Sequence, residues 1–319
     1  MTYSSYSTPL DTLRSAFGDR LQENVVMANY TTAHVGGPVD AMLILHTSTE
    51  LENAVRRLWE LDVPFHLLGA GSNVLVSDAG VRGVVLINHA RNVKIDAHSA
   101  EPSVWAESGA NLGGIARQVV LRNLGGLEWA ATIPGTIGGA VYGNAGAYGG
   151  DMAGNLLLAE ILHHKEGRVN WPVEKLEYTY RTSSLKRHPG QSVVLAARLK
   201  LNYAQAADVQ LKMDEIAAKR HRTQPPGASM GSMFKNPPGD FAGRLIEAAG
   251  LKCAHIGGAE ISSIHANFFI SHERSTAADI MKLIELAQKK VHDQFGIKLE
   301  LEIEKLGEWK DVLGVEYDR

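Results

Sequence analysis

The chain has 319 residues, 45% hydrophobic and 21% charged, with a formal net charge of −3; this allows two or three domains with separate cores and shows no nucleic-acid-binding surface. Cys253 is the only cysteine, which excludes an internal disulfide, and no stretch approaches the roughly 18 apolar residues of a membrane span. Without a basic, apolar leader, the reading is a cytoplasmic protein whose partners are small molecules, with no nucleic acid and no membrane.

The first ten residues, rich in Ser, Thr and Tyr, read as a tail. Thr49 is expected to cap a helix over 50–61 with Leu51, Ala54, Val55, Leu58 and Trp59 on its apolar face. Short apolar runs at 64–68, 74–77 and 84–88 are expected as strands joined by tight turns. Between the first two lies Gly69-Ala70-Gly71-Ser72-Asn73. A helix over 112–124, stopped by Gly125-Gly126, leads into a second glycine turn, Ile133-Pro134-Gly135-Thr136-Ile137-Gly138-Gly139-Ala140.

Glycine permits positive φ and leaves main-chain N–H groups uncovered, so such turns commonly hold phosphate, and two of them suggest a diphosphate. Neither turn fits a P-loop or a strand-borne G-x-G-x-x-G fingerprint, so another dinucleotide fold is implied.

From 156 to 201 the pattern returns to short strands, with a Glu166-Gly167 turn and an alternating run over 193–201. A helix over 208–222 runs into Thr223-Gln224-Pro225-Pro226-Gly227, read as a hinge between domains. Helices follow at 241–249, ended by Gly250, and at 276–295, ended by Gly296, with Ile280, Leu283, Ala287, Val291 and Phe295 apolar. Residues 297–303 alternate as a closing strand.

Three polar groups stand out by context. Ser232 lies in the rigid Gly231-Ser232-Met233-Phe234-Lys235-Asn236-Pro237 loop. Arg181, after Tyr180, offers a planar fork for a carboxylate. Glu302, on the closing strand, is expected to point inward. Taken singly, each also has an ordinary reading as a turn serine, a surface arginine or an exposed glutamate. Cys253 reads as a buried filler at a helix end and His265 as a packed or hydrogen-bonded histidine. His163-His164 show no metal-site spacing, so no metal is assigned.

From about Asn29 to Gly307 the chain resembles the UDP-N-acetylenolpyruvoylglucosamine reductase family. The matching blocks, in order, are Thr31-Thr32-Ala33-His34-Val35-Gly36-Gly37-Pro38, the first glycine turn with Asp78, and the second turn running into Asn144-Ala145-Gly146-Ala147-Tyr148-Gly149. Tyr180-Arg181, residues 231–237 and Phe241-Ala242-Gly243-Arg244-Leu245-Ile246-Glu247-Ala248-Ala249-Gly250 complete the set.

The resemblance implies an α+β chain: a two-subdomain FAD-binding fold of the vanillyl-alcohol-oxidase/PCMH type plus a C-terminal α+β substrate-binding domain. Its bounds are 1–20 for the tail and lead-in, 21–88 and 89–207 for the FAD-binding subdomains, 208–307 for the substrate domain and 308–319 for a C-terminal tail. It further implies FAD held by Gly69, Ala70, Gly71, Ser72, Asn73, Ile133, Pro134, Gly135, Thr136, Gly138, Gly139, Ala140, Asn144 and Ala145. Catalysis would fall to Ser232, Arg181 and Glu302, and substrate contact to Tyr180, Lys235 and Asn236.

The implied activity is NADPH-dependent reduction of UDP-N-acetylglucosamine enolpyruvate to UDP-N-acetylmuramate for peptidoglycan. About fifty positions separate Arg181 from Ser232, which resembles the shorter variant without an inserted substrate-covering loop. Oligomeric state is not specified, and a monomer is compatible with the sequence. In Ser262-Ser263-Ile264-His265-Ala266-Asn267-Phe268-Phe269-Ile270-Ser271, Asn267 replaces the family's glycine and Ser271 its asparagine. Asn tolerates left-handed backbone, so the first change is expected to be mild; the second is expected to remove a substrate-domain contact. Two alternatives stay open at this point: a flavin oxidase on the same cofactor fold, and a flavin- or nucleotide-binding regulator without turnover.

Overall fold

In the computed structural model of the chain, which describes residues 7–309, the expected runs at 64–68 and 84–88 enter a four-stranded mixed sheet, and the one at 74–77 lies outside it. Gln22–Val26 pairs antiparallel with Pro38–Leu45, which runs parallel to Val81–Asn88, itself parallel to Phe65–Leu68. Val81–Asn88 is apolar almost throughout because both of its faces are covered. Val84 and Leu86 meet Leu51, Val55 and Leu58 of the helix Ser48–Glu60, whereas Val85 and Ile87 meet Met27, Met42 and Val76. Thr47, not Thr49, caps that helix by accepting the Glu50 N–H. Ahead of the sheet, the helix Leu10–Phe17 buries Leu13 in the same core; the start and the end of the chain expected as tails lie, for residues 1–6 and 310–319, outside the described residues.

A second, five-stranded antiparallel sheet takes the order Gly167–Pro172, Leu156–His163, Ser192–Lys200, Ser103–Glu107, Val93–Asp96. Leu162, Val193 and Leu195 pack with the helix Ser48–Glu60, so the two sheets share a core. A larger core on the second sheet is closed by the helices Leu112–Val120 and Ile137–Gly143 and by Val209 and Met213 of Ala206–Thr223. That last helix therefore sits with the second sheet, and the packing places the change of unit after it, at residues 224–227.

Two local expectations shift. The helix expected over 112–124 ends at Val120, because Asn123 turns left-handed at φ 56° and Leu124–Gly125 pairs with Asn202–Tyr203. The second glycine turn is the start of the helix Ile137–Gly143, capped by Thr136. Its glycines, poor helix formers, hid it.

Beyond residue 227 the helices Ala242–Ala248 and Ala277–Phe295 cover a three-stranded sheet of His255–Ile256, Ala259–Ile261 and Phe269–Ser271. The longer helix starts with a capping box of Thr276 and Asp279 and ends at left-handed Gly296. Asp78, from the first unit, accepts the N–H groups of Ala277 at 2.9 Å and Ala278 at 2.8 Å, which places a carboxylate at the helix start. The expected strand over 297–303 is irregular; the regular strand is Glu304–Leu306, which pairs parallel with Val74–Val76. Cys253, expected to be buried, is exposed in a left-handed turn. Among the described residues no helix is long and apolar enough to cross a membrane.

Candidate active site

The two glycine turns meet. A Cβ on Gly69 would lie 2.3 Å from the Thr136 hydroxyl, and one on Gly71 would lie 2.0 Å from the Tyr30 carbonyl. Thr32 N–H bonds to the Gly71 carbonyl at 3.1 Å, and the Ser72 hydroxyl reaches the Pro134 carbonyl at 3.5 Å. The glycines are thus required first by protein packing against them.

Their N–H groups differ. Ala70, Gly71, Ser72 and Asn73 donate no main-chain hydrogen bond to a described protein acceptor. In the second turn, Ile137 N–H goes to the Ala110 carbonyl at 2.9 Å and Gly138 N–H to the Ser108 carbonyl at 2.7 Å, while Gly139 and Ala140 bond back to Thr136. Gly135 and Thr136 keep theirs free of such partners. The donor set that fits a diphosphate is therefore residues 70–73 with 135–136. Asn144 donates to the Thr179 carbonyl at 3.1 Å and accepts the Ala153 N–H at 3.0 Å, and Ala145 N–H bonds to the Ala140 carbonyl. Beside the first turn opens a cleft of about 430 Å³ lined by Tyr30, Thr32, Gly69, Ala70, His89 and Arg91. Bare amides and a cationic rim suit the phosphates of FAD.

Arg181 sits in a two-residue turn between Thr179 and Thr182, which exchange main-chain hydrogen bonds of 3.0 and 3.2 Å. At φ 57° it holds a left-handed backbone uncommon for a side chain of its size. The turn is anchored by Asn144 and by the Ser183 hydroxyl, which donates to the Tyr142 carbonyl at 2.6 Å. From here Arg181 Nε lies 2.6 Å from Oε1 of Glu302, with the two side chains 24% and 17% exposed. The contact is close, but its N–H is not aligned as a hydrogen bond. Burial raises the Glu302 carboxyl above its ordinary pKa, against the downward pull of Arg181, Lys186 and Lys235.

The main chain of Glu302 joins the cofactor turn to the serine loop. Its N–H donates to the Met233 carbonyl at 2.9 Å, and its carbonyl accepts the Asn73 side-chain amide at 3.1 Å. Ser232, next to Met233, is half-buried and pairs with Phe268, while Phe234 pairs with Leu301. Lys235 N–H bonds to the Glu300 carbonyl at 2.8 Å and its ammonium lies 3.4 Å from the Glu300 carboxylate. Asn236 N–H approaches the Tyr180 hydroxyl at 3.5 Å, Asn236 Oδ1 accepts the Ala242 N–H at 3.0 Å, and the Arg181 guanidinium lies over the Tyr180 ring at 5.4 Å. Segments around 181, 232 and 302, remote along the chain, therefore adjoin one another and the first glycine turn.

One supporting residue escaped the sequence reading, and a second was noticed there without its role. Lys186 Nζ pairs with Glu304 at 2.5 Å, and no pattern singled it out. Asn267, 3% exposed, places its amide on Phe234, accepting that residue's N–H at 2.9 Å and donating to its carbonyl at 2.8 Å. Its backbone is not left-handed, contrary to the reason offered for its tolerance. His265 is packed and bonded as read: burial lowers its pKa and Nδ1 accepts the Asn267 N–H at 3.2 Å.

Residues 39–169 match the model of an FAD binding domain, a class of protein to which an amide-rich turn beside a guanidinium–carboxyl pair is suited. Residues 222–306 match the model described as UDP-N-acetylenolpyruvoylglucosamine reductase, C-terminal domain. The chain is 44% identical over 288 residues to the UDP-N-acetylenolpyruvoylglucosamine reductase of Chloroflexus aggregans, covering 89% of this chain and 96% of that one. It is likewise 44% identical over 285 residues to that of Rubrobacter xylanophilus, covering 88% and 94%. The crystal structure of the Thermus caldophilus enzyme superposes with a TM-score of 0.77 at 34% identity, covering 90% of this chain and 99% of that one. The chain belongs to the UDP-N-acetylenolpyruvoylglucosamine reductase family.

Proposed function

We propose that this chain reduces UDP-N-acetylglucosamine enolpyruvate to UDP-N-acetylmuramate in the bacterial cytoplasm, using FAD and NADPH, as a step of peptidoglycan precursor synthesis. The observation that carries this reading is the junction of Arg181, Glu302 and the Ser232 loop beside unspent amides of the first glycine turn. FAD would be held by the N–H groups of 70–73 and 135–136 and, when bound, would supply hydride from NADPH to the enolpyruvyl methylene carbon.

The residues supply the rest. Negative charge then spreads from the adjacent carbon into the substrate carboxylate, and the Arg181 guanidinium, fixed by its turn, stabilises it. A bare carboxylate beside that charge would oppose it. Burial eases Glu302 toward its neutral form, in which it assists rather than repels. Ser232 donates the proton to the adjacent carbon, which is basic enough to take it from a hydroxyl. Tyr180, Lys235 and Asn236, gathered round the same corner, hold the substrate, Lys235 by charge and Asn236 by its amide. The N–H and carbonyl of Glu302 tie its main chain to both the serine loop and the first glycine turn.

The test is spectroscopic. Purified protein shows a flavin spectrum, NADPH bleaches it, and the enolpyruvyl nucleotide restores the colour anaerobically. Recovery only with dioxygen would replace this reading with an oxidase.

A further inference from the structure

The Ser232 loop has almost no regular structure of its own, yet the proposed chemistry requires its hydroxyl to be placed to a fraction of an ångström. What holds it is asymmetric. On one side, the backbone of 300–302 bonds to Met233 and Lys235. On the other side the Asn267 carbonyl accepts the Met233 N–H at 2.8 Å, and at Phe234 the partner is a side chain: the Asn267 amide occupies both the N–H and the carbonyl of that residue. A carboxamide is a peptide group in miniature, with a donor and an acceptor side by side, so it can stand in for the missing rung of a ladder.

Asn267 is itself locked. His265 Nδ1 receives its N–H, its flank faces Gly243 of the helix Ala242–Ala248, and the residue is 3% exposed. No other side chain on the 266–268 side bonds to residues 232–234. Nothing in the proposed reaction consumes the Asn267 amide, because both of its ends are already committed.

We propose that Asn267 is a positioning residue for proton donation: its side-chain amide, clamped on Phe234, sets the register of residues 232–236 and thereby the aim of the Ser232 hydroxyl at the substrate carbon. This rests on the function proposed above. The specificity is chemical as well as spatial. Asn267→Ala leaves the Phe234 N–H and carbonyl without partners, and Asn267→Asp keeps the acceptor but sets an oxygen against the Phe234 carbonyl.

The experiment follows the two half-reactions of the flavin-loaded protein by rapid-mixing absorbance, with UDP-N-acetylglucosamine enolpyruvate as the oxidant. In both variants, reduction by NADPH stays within about twofold of wild type, while reoxidation slows by at least about tenfold and acquires a larger solvent deuterium isotope effect. In the Ser232→Ala background, Asn267→Ala adds less than about twofold, because the two residues act through one proton transfer.

A lowered Tm with both half-reactions intact would show a core residue only and overturn the proposal. So would equal slowing of both half-reactions, additive losses in the double variant, or loss of flavin from both variants. A wild type that the nucleotide fails to reoxidise overturns the function itself, and the Asn267 assignment with it. A normal wild type with unaffected variants overturns the assignment alone.

Discussion

The glycine turns and the corner where Arg181 meets Glu302 are built by opposite means. At Gly69 and Gly71 the requirement is the lack of a side chain, since other parts of the protein occupy the space where a Cβ would go. At the corner the requirement is a side chain held where it would not rest alone: an arginine with left-handed backbone, a carboxyl pushed toward neutrality, and an asparagine doing the work of a peptide bond. The first kind of site tolerates little change of shape, whereas the second tolerates little change of chemistry. Cofactor retention should therefore separate from turnover.

Substitutions can break that separation. Ser232→Ala removes the proposed proton donor without touching the turns, so it should retain flavin and be reduced normally by NADPH while reoxidation by the nucleotide falls by roughly 10²–10⁴-fold. Parallel loss of both half-reactions would mean that the corner and the turns are one unit. Gly71→Ala tests the other side. Its methyl group meets the Tyr30 carbonyl and its φ of 60° disfavours a side chain, so overpacking should cost about 1–3 kcal/mol in urea unfolding, and flavin should be lost in proportion. Retained flavin with full stability would show that the turn relaxes freely.

The smallest effect concerns Glu302. Its pKa in the fold lies above the unfolded value, so its contribution is fully present below about 4.5, the ordinary value, and is lost as pH rises through the raised one. Glu302→Gln removes this dependence, and the Tm of the variant relative to wild type should increase with pH across that window. A flat difference would mean that Arg181 offsets the burial. The other shifted carboxyls among the described residues, such as Asp240, held down to about 2 by Arg244, all move the opposite way, so the comparison must be made as a difference between variant and wild type.

How much of this was legible follows from where the determining partners lie. The helix Ala277–Phe295 announces itself through Thr276, its apolar periodicity and Gly296, all local signals. The helix Ile137–Gly143 does not, because its three glycines suppress the helical signal, and of these Gly138 is demanded by close packing against Ser108. Residues 297–303 alternate like a strand, but their partners are the irregular 233–235 loop, and the regular pairing begins at Glu304 because Val74–Val76 lies there. Arg181, Ser232 and Glu302 could be picked, and expected to meet, by family resemblance, whereas residue type and spacing alone left each with an ordinary reading. Asn267 showed only as a departure from a pattern, and its backbone gave no reason for it; the reason is a loop thirty-odd positions upstream.

The return of Glu304–Leu306 to the edge of Val74–Val76 has a consequence for synthesis. Domains tend to fold as they leave the ribosome, N-terminal portion first. Here the edge at Val74–Val76 is completed by a ribbon made much later, and the same ribbon delivers Glu302 to Asn73, 229 positions away. A polypeptide halted before that ribbon would hold both glycine turns and still lack the pairing that closes this edge and the residue that reaches Asn73.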